Sequence, residues 1–359
     1  MNNHIYVGSR KGLFRFDRGA NGWAQSGAPA FLAEPVTACL ADSRDGALYV
    51  GLQHGHFGCK FHRSRDSGQT WQELPTPAYP ASQALDAPAL DMIWVLAAGG
   101  TDQPGLIWAG TLPGGLFKSA DYGESWHLVE GLWNRPERAR WFGGGYDHPG
   151  IHSIITDPRD SQNIAVGVSS GGVWHSKDGG ETWMQAGHGF NATFLPPELA
   201  HDPTSQDPHF IAACPSQPDR VWCQHHCGIY KSDDFGMNFT EIHNVAPSSF
   251  GFAVAVHPTE PDTAWFVPAV KDECRVPVNG RFVITRTRDG GASFESLANG
   301  LPTGPCYDLV YRHGLIVDST GTRLAVGSTT GNFWISEDGG DQWHLLSTTL
   351  PPIATLAFA

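Results

Sequence analysis

Six octapeptides of one pattern recur along the chain and constrain its fold more than any other feature. They read SRDSGQTW from Ser64, SADYGESW from Ser119, SKDGGETW from Ser176, SDDFGMNF from Ser232, TRDGGASF from Thr287 and SEDGGDQW from Ser336. Successive aspartates (Asp66, Asp121, Asp178, Asp234, Asp289 and Asp338) are 55, 57, 56, 55 and 49 residues apart. A fixed period of this size marks a repeat architecture. Each octapeptide lies between short apolar or aromatic runs such as GGLFK, GGVWH and CGIYK, which is the position of a hairpin turn. The carboxylate can accept hydrogen bonds from backbone N–H groups just ahead of it, and the glycine two residues on supplies a positive φ. Six near-equivalent copies that each solve a local turn problem point to structural acids rather than catalytic ones. The closing Trp or Phe is expected to pack between neighbouring units.

Two further strand-like runs precede each octapeptide, as IHSIITD at Ile151 and NIAVGVSS at Asn163 do in the third copy. With the strand after the turn this makes four strands, A (innermost) to D (outermost), the blade of a β-propeller. The chain opens on HIYVGSRKGLFRFDRGANGW, which reads as strands B and C with a degraded turn and no strand A; PPIATLAFA from Pro351 resembles the missing one. The expectation is an all-β, seven-bladed propeller forming one domain over 1–359, closed by pairing the C-terminal strand with the N-terminal strands. Blade 1 is read as 353–359 plus 1–26, and blades 2 to 7 as 36–75, 88–129, 150–186, 208–243, 250–297 and 305–348. Such closure removes exposed sheet edges.

The motif Ser-x-Asp-x-Gly-x-Thr-Trp resembles the Asp-box, or BNR repeat, and over nearly its whole length the chain resembles the sortilin-like and sialidase-like propeller superfamily. Its members include sialidases, xyloglucan-active glycoside hydrolases, sortilin ectodomains and a photosystem II assembly factor. The resemblance implies the seven-bladed fold and leaves the function open, since one fold hosts many sites. The sequence departs from the sialidases in lacking a Phe/Tyr-Arg-Ile-Pro motif and a trio of arginines at corresponding blade positions. It departs from the xyloglucan enzymes in having one propeller instead of two.

Composition narrows the class. The 43 Gly and 26 Pro suit a turn-dense all-β chain. A formal net charge of −13 without a basic run argues against nucleic acid as a partner. No stretch is long enough to span a bilayer, and the first residues lack the apolar core of a signal peptide, so no membrane association is expected. Seven cysteines (Cys39, Cys59, Cys214, Cys223, Cys227, Cys274 and Cys306) form an odd set without disulfide-like spacing, which suits a reduced cytoplasm.

In a propeller the C–D turns lie on one face, while the B–C loops and the D-to-A connections lie on the other. The octapeptides mark the first face, which leaves the second for ligands. There GLQHGHFG from Gly51, CQHHCG from Cys223 and PAVKDECRVPVNG from Pro268 stand out among the B–C loops, and two long D-to-A insertions begin at Glu130 and Gly187. Loops of that length are uncommon without a role. Histidine concentrates in these segments. His54, His56, His152, His201, His225 and His226 are candidate ligands of a divalent transition metal, His225 and His226 being expected to diverge. A metal-free, histidine-lined pocket is the competing reading. Asp272, Asp308, Tyr307 and His152 are candidate catalytic groups, Tyr307 being aligned with His152 on the inner strands. Arg10, Lys11, Arg140, Trp141, Lys271 and Arg275 are candidates for binding substrate.

The leading expectation is an intracellular enzyme acting on a small polar or anionic molecule in a histidine-rich pocket at the loop face, through metal ligands or acid–base groups, in hydrolysis, lyase chemistry or oxidation. One alternative is a non-catalytic assembly scaffold that docks a protein partner through Trp133, Trp141 and Phe142. Another is an atypical glycoside hydrolase in which acids such as Asp272 and Asp308 flank a sugar. Burial of the insertion's aromatics over the channel mouth would favour a small ligand; an open apolar patch would favour the scaffold.

Overall fold

A computed structural model of the chain describes residues 3–81 and 88–359, so the first two positions read into blade 1 lie outside the described residues. Among the described residues are seven four-stranded antiparallel sheets, the blades of a propeller. Blade 4 shows the pattern: Ile151–Asp157, Asp160–Val168, Gly172–Ser176 and Met184–Ala186 run from strand A to strand D. Ring closure is direct. Ile353–Phe358 is strand A of blade 1 and pairs antiparallel with His4–Ser9, placing Leu356 opposite Val7 and Phe358 opposite Ile5.

The octapeptide turns share one hydrogen-bond pattern. In the third copy Asp178 Oδ1 accepts from the Thr182 N–H at 2.8 Å and from the Ser176 hydroxyl at 2.8 Å, while Asp178 Oδ2 accepts from the Thr182 hydroxyl. Ser176 Oγ in turn accepts the Gly180 N–H at 2.9 Å. Two successive residues, not one, take a positive φ. Where the first of them is not glycine, as at Ser67 (57°), Tyr122 (63°) and Phe235 (59°), the bracket holds a side chain in the left-handed region.

The closing aromatics join blades. Trp126 of blade 3 meets Phe61 of blade 2 edge-on at 5.2 Å. Trp183 of blade 4 shares a buried cluster with Trp108 of blade 3 and with Leu132 and Trp141 of the first long insertion. The largest fully buried side chains include Trp108, Trp174, Trp222, Trp265 and Trp334, all on strands B or C. The core is therefore a set of wedges between blades, and the central channel remains a place for a site.

Blade 7 departs from the expected alignment. Its strand A is Leu315–Val317, preceded by a 3-10 turn at Arg312–Gly314, whereas residues 305–310 form no strand. That earlier segment is fastened to the B–C loop instead: the Thr329 N–H bonds to Leu309 O at 2.8 Å, and Asp308 Oδ1 accepts from the Ser328 hydroxyl, the Thr330 hydroxyl and Asn332 Nδ2. Tyr307 is consequently 71% exposed and does not stand beside His152. His313 does, with its Nε2 2.8 Å from His152 O.

Two outcomes follow for the turns. Asp178→Ala is expected to cost about 1–2 kcal/mol in urea unfolding, the range for losing charge-assisted bonds at a partly exposed turn, with ligand binding at the opposite face unchanged. The Thr70 hydroxyl and N–H hold the Asp66 carboxyl down at about 2, and Ser293 does the same for Asp289. A carboxylate depressed in the folded state stabilises fully above its unfolded value near 4 and loses that contribution as pH falls towards 2. Acid titration followed by tryptophan fluorescence should therefore show stability declining between about pH 4 and pH 2, with the decline smaller in Asp66→Asn.

Candidate functional site

The starts of the inner strands surround a cavity of about 530 Å³ at the loop face of the channel. Blade 1 contributes Arg10 from its B–C loop and Pro352–Ala354, blade 2 Thr37 and Gln53, blade 3 Met92 and Trp94, and blade 6 Phe252 and Arg275. Tyr311, Arg312 and His313 enter from the 3-10 turn of blade 7, and Gly144, Gly145 and Tyr146 arrive from the first long insertion. Trp94 and His313 also line a second, largely aliphatic cavity of about 250 Å³ deeper in the channel.

Three guanidinium groups reach the upper cavity, and among the described residues no carboxylate lines it. Arg312 is 6% exposed, with its guanidinium 4.7 Å from the centroid of Trp94 and 5.8 Å from that of Phe252. Its Nε and Nη2 have no hydrogen-bond partner, and among the described residues it forms no ion pair, Asp207 acting on it only at a distance. Burial lowers its pKa from the ordinary arginine value, yet a guanidinium retains its proton at neutral pH. Arg275 lies 5.2 Å over Phe252 and is braced by Asp272, whose Oδ1 accepts Nε at 3.0 Å and Nη2 at 2.5 Å. Arg10 is held at the ring joint, where its N–H bonds to Pro352 O at 3.0 Å. Trp94, Tyr146 and Phe252 supply aromatic faces, Tyr146 meeting Trp94 edge-on at 5.2 Å.

Behind this wall Asp207, His209 and His226 bring one ligand atom each within 4.8 Å of one another. Asp207 Oδ2 is 3.5 Å from His209 Nε2 and 3.3 Å from His226 Nδ1. Its Oδ1 accepts the Ser170 N–H at 3.2 Å. His209 stacks on Phe252 at 4.4 Å. Gly144 connects cluster and cavity: a Cβ there would lie 3.2 Å from Asp207 Oδ1 and under 3 Å from the Ser169 and Ser170 hydroxyls, so glycine lets the insertion backbone approach. Although burial opposes the charge on Asp207, His209, His226 and Arg312 hold its carboxyl well below the usual range, while burial drives His209 below the usual imidazole value.

The histidines proposed as one metal set are dispersed. His54 Nδ1 pairs with Glu34 at 2.9 Å, the His56 ring lies against Phe57 with centroids 3.9 Å apart, and His201 Nδ1 bonds to Phe190 O at 2.9 Å. Buried His152 bonds through Nδ1 to the Ser153 hydroxyl at 2.9 Å and leaves Nε2 without a partner; burial drives its pKa well below the ordinary value. His225 turns away from His226: its Nε2 faces the Asp207 N–H at 3.2 Å and its Nδ1 the Cys227 N–H at 3.1 Å. A neutral imidazole has a single acceptor nitrogen, so the ring accepts from one of these two N–H groups and packs between the two loops; burial holds it neutral, with a pKa of about 3. Only His226 of the six belongs to the cluster.

The other candidates also separate. Arg10 and Arg275 line the cavity. Lys11 is exposed and does not line it, Arg140 pairs with Asp202, and Lys271 pairs with Glu273 at 3.3 Å. Trp141 is buried against Trp174 at 5.7 Å, and Trp133 packs on Tyr79 at 5.0 Å with the Arg138 guanidinium 3.6 Å from its ring centroid. The insertion therefore buries Trp141 and packs Trp133 while leaving Phe142 and Tyr146 exposed, at 40% and 49%. Asp308 serves its loop, its pKa held down by the Cys306 thiol and three further donors despite burial.

No protein-family model matches the chain. It is 27% identical over 180 residues to an oligoxyloglucan-reducing end-specific xyloglucanase of Emericella nidulans, covering 48% of this chain and 21% of that protein. It is 24% identical over 269 residues to a probable enzyme of the same name from Neosartorya fischeri, covering 67% of this chain and 30% of that protein. The chain thus spans less than a third of either relative. Among solved structures it is similar to the GH74 xyloglucanase of Xanthomonas campestris, with a TM-score of 0.67 at 19% identity over 96% of this chain and 52% of that one. These neighbours agree with the seven-bladed fold.

Asp207, His209 and Arg312 were not among the sequence candidates. Asp207-Pro-His209 carries a usable signal, because alternate residues entering a strand share a face. Arg312 carries none, since its position depends on the 3-10 turn that replaces the expected strand. His225→Ala is expected to destabilise the fold by roughly 2–4 kcal/mol, as it removes a buried ring and leaves a backbone N–H unsatisfied; chemical denaturation measures this. The Arg312 cavity should remain able to bind.

Proposed function

We propose that this chain is a single-propeller, carbohydrate-directed enzyme of the Asp-box class whose cavity takes a small saccharide bearing a carboxylate or similar anionic group. The observation that carries this reading is Arg312, a buried guanidinium with two unpaired nitrogens at a cavity whose described lining holds no carboxylate. A desolvated cation without a counter-ion is costly to keep, and an anionic ligand with fork-matching oxygens offsets that cost. Arg10 and Arg275 add positive charge at the rim, and the faces of Trp94, Tyr146 and Phe252 suit the apolar side of a sugar ring. Thr37, Gln53 and Thr329 add polar groups to the lining.

The xyloglucanase relatives support the saccharide and, by extension, glycoside hydrolysis. That chemistry uses two carboxylates. The acids attached to lining residues are Asp91, whose Oδ1 accepts Gln53 Nε2 at 3.3 Å, and Asp272 on Arg275. The burial of Trp141 and the packing of Trp133 favour a small ligand over a docked protein. The set of free cysteines is consistent with our placing the protein in a reducing compartment.

Calorimetry with uronic acids, sialic acid and neutral xyloglucan oligosaccharides tests the proposal. An acidic saccharide should bind, with affinity lowered at least about tenfold in Arg312→Gln, as expected for a buried charge-assisted contact. Binding of the neutral oligosaccharides alone, or acid binding indifferent to Arg312→Gln, would overturn it. Release of reducing ends from a bound acidic glycoside, compared between wild type and Asp272→Asn, tests the hydrolytic step.

A further inference from the structure

The geometry points to a divalent transition-metal site formed by Asp207, His209 and His226, behind the cavity wall at Gly144 and Phe252. Three features of the cluster carry the inference. The first is the fixed tautomer of His209. Its Nδ1 lies 2.7 Å from Gly251 O, which accepts but cannot donate, so the ring proton sits on Nδ1. Nε2 then presents a lone pair to Asp207 Oδ2 at 3.5 Å. A lone pair facing a carboxylate oxygen needs a cation between them, either a proton or a metal ion. A backbone carbonyl holding the far nitrogen is also the usual support for a metal-binding imidazole.

The second feature is spacing. Ligand atoms about 2.0–2.1 Å from an ion at tetrahedral angles lie about 3.3–3.4 Å apart. The Asp207–His226 and Asp207–His209 separations of 3.3 and 3.5 Å fall at that edge length, and the third separation is within 4.8 Å. The third feature is rigidity. Asp207 is fixed by the Ser170 N–H on Oδ1 and by its own N–H on His225, and its carbonyl accepts the His226 N–H at 3.0 Å. His209 is clamped on Phe252, and His226 lies 4.7 Å from Phe194 and 5.8 Å from Phe250. Asp207 and His209 are buried, whereas the His226 side chain is 22% exposed, which leaves an entry path.

Two imidazoles and one carboxylate are a borderline donor set, suited to Zn²⁺ or Fe²⁺ and poor for Ca²⁺ or Mg²⁺. One carboxylate leaves a divalent site with net positive charge, so an anion is its natural further ligand. That sign matches Arg312, although the metal site stands on its own donors and does not require the saccharide.

Untagged protein stripped with a chelator and titrated with Zn²⁺ by calorimetry tests the site, with Co²⁺ absorption reporting nitrogen and oxygen ligation. The expected result is uptake of about one ion, weakened more than about tenfold in His226→Ala and in Asp207→Asn, as removal of a direct ligand demands. His54→Ala and His201→Ala should bind like the wild type. His226 is partly exposed, so its variant keeps the test valid if Asp207→Asn fails to fold. Absence of stoichiometric uptake of Zn²⁺, Co²⁺ or Fe²⁺ would mean that a proton bridges the cluster, and uptake indifferent to His226→Ala would place the ion elsewhere; either result overturns the proposal. Metal uptake without acidic-saccharide binding would remove the functional reading above and leave this site standing.

Discussion

The antiparallel pairing of Ile353–Phe358 with His4–Ser9 is the contact on which the rest of the molecule depends. It converts six complete repeats and two fragments into a closed ring. An open array would leave the edge of His4–Ser9 unpaired and Leu356 and Val7 exposed, at the cost of about 25 cal/mol for each Å² of apolar surface. Closure also has a chemical consequence. Arg10 lies just past the joint, with its N–H on Pro352 O, while Arg312 arrives from the preceding blade. Residues about 300 positions apart become neighbours because the ring is shut, as expected for a propeller built by radial repetition.

The two faces divide the work. On one, six carboxylate brackets satisfy their own backbone groups and hold two left-handed residues each, so their acids are fully occupied. On the other, the long insertion inserts Leu132 and Trp141 into the wedge between blades 3 and 4. Anchored in this way, it carries Gly144 against Asp207 and Tyr146 against Trp94. Interior packing of the insertion thus positions the cavity wall and the cluster behind it together with the B–C loops that carry Arg10, Ser170 and His226.

Charge in the cavity region is arranged asymmetrically. Asp272 braces Arg275 from the side, Asp207 influences Arg312 without reaching ion-pair distance, and among the described residues the cavity lining itself contains only cations and neutral groups. Braces of this kind keep guanidinium groups oriented while leaving donors for a ligand. The same chain that is acidic overall therefore presents a positive recess, and the net charge of −13 says little about what enters it.

The octapeptides and their spacing by themselves determined the propeller, the blade count, the closing strand and the face on which to look, because each feature follows from local turn chemistry repeated at a fixed period. Arg10, Arg275 and His226 were legible as members of that face. Their company was not. His54, His56, His201 and His225 have the right residue type and the wrong surroundings: each is taken by Glu34, Phe57, a carbonyl or a backbone N–H group. The register of blade 7 was misread for a related reason, since Asp308 can either enter a strand or bind the hydroxyls of Ser328 and Thr330, and only those partners from another loop settle which. A side chain's direction at a loop end depends on contacts far away in the chain. Tertiary structure alone could bring Asp207, His209 and His226 together and leave Arg312 buried without a counter-ion.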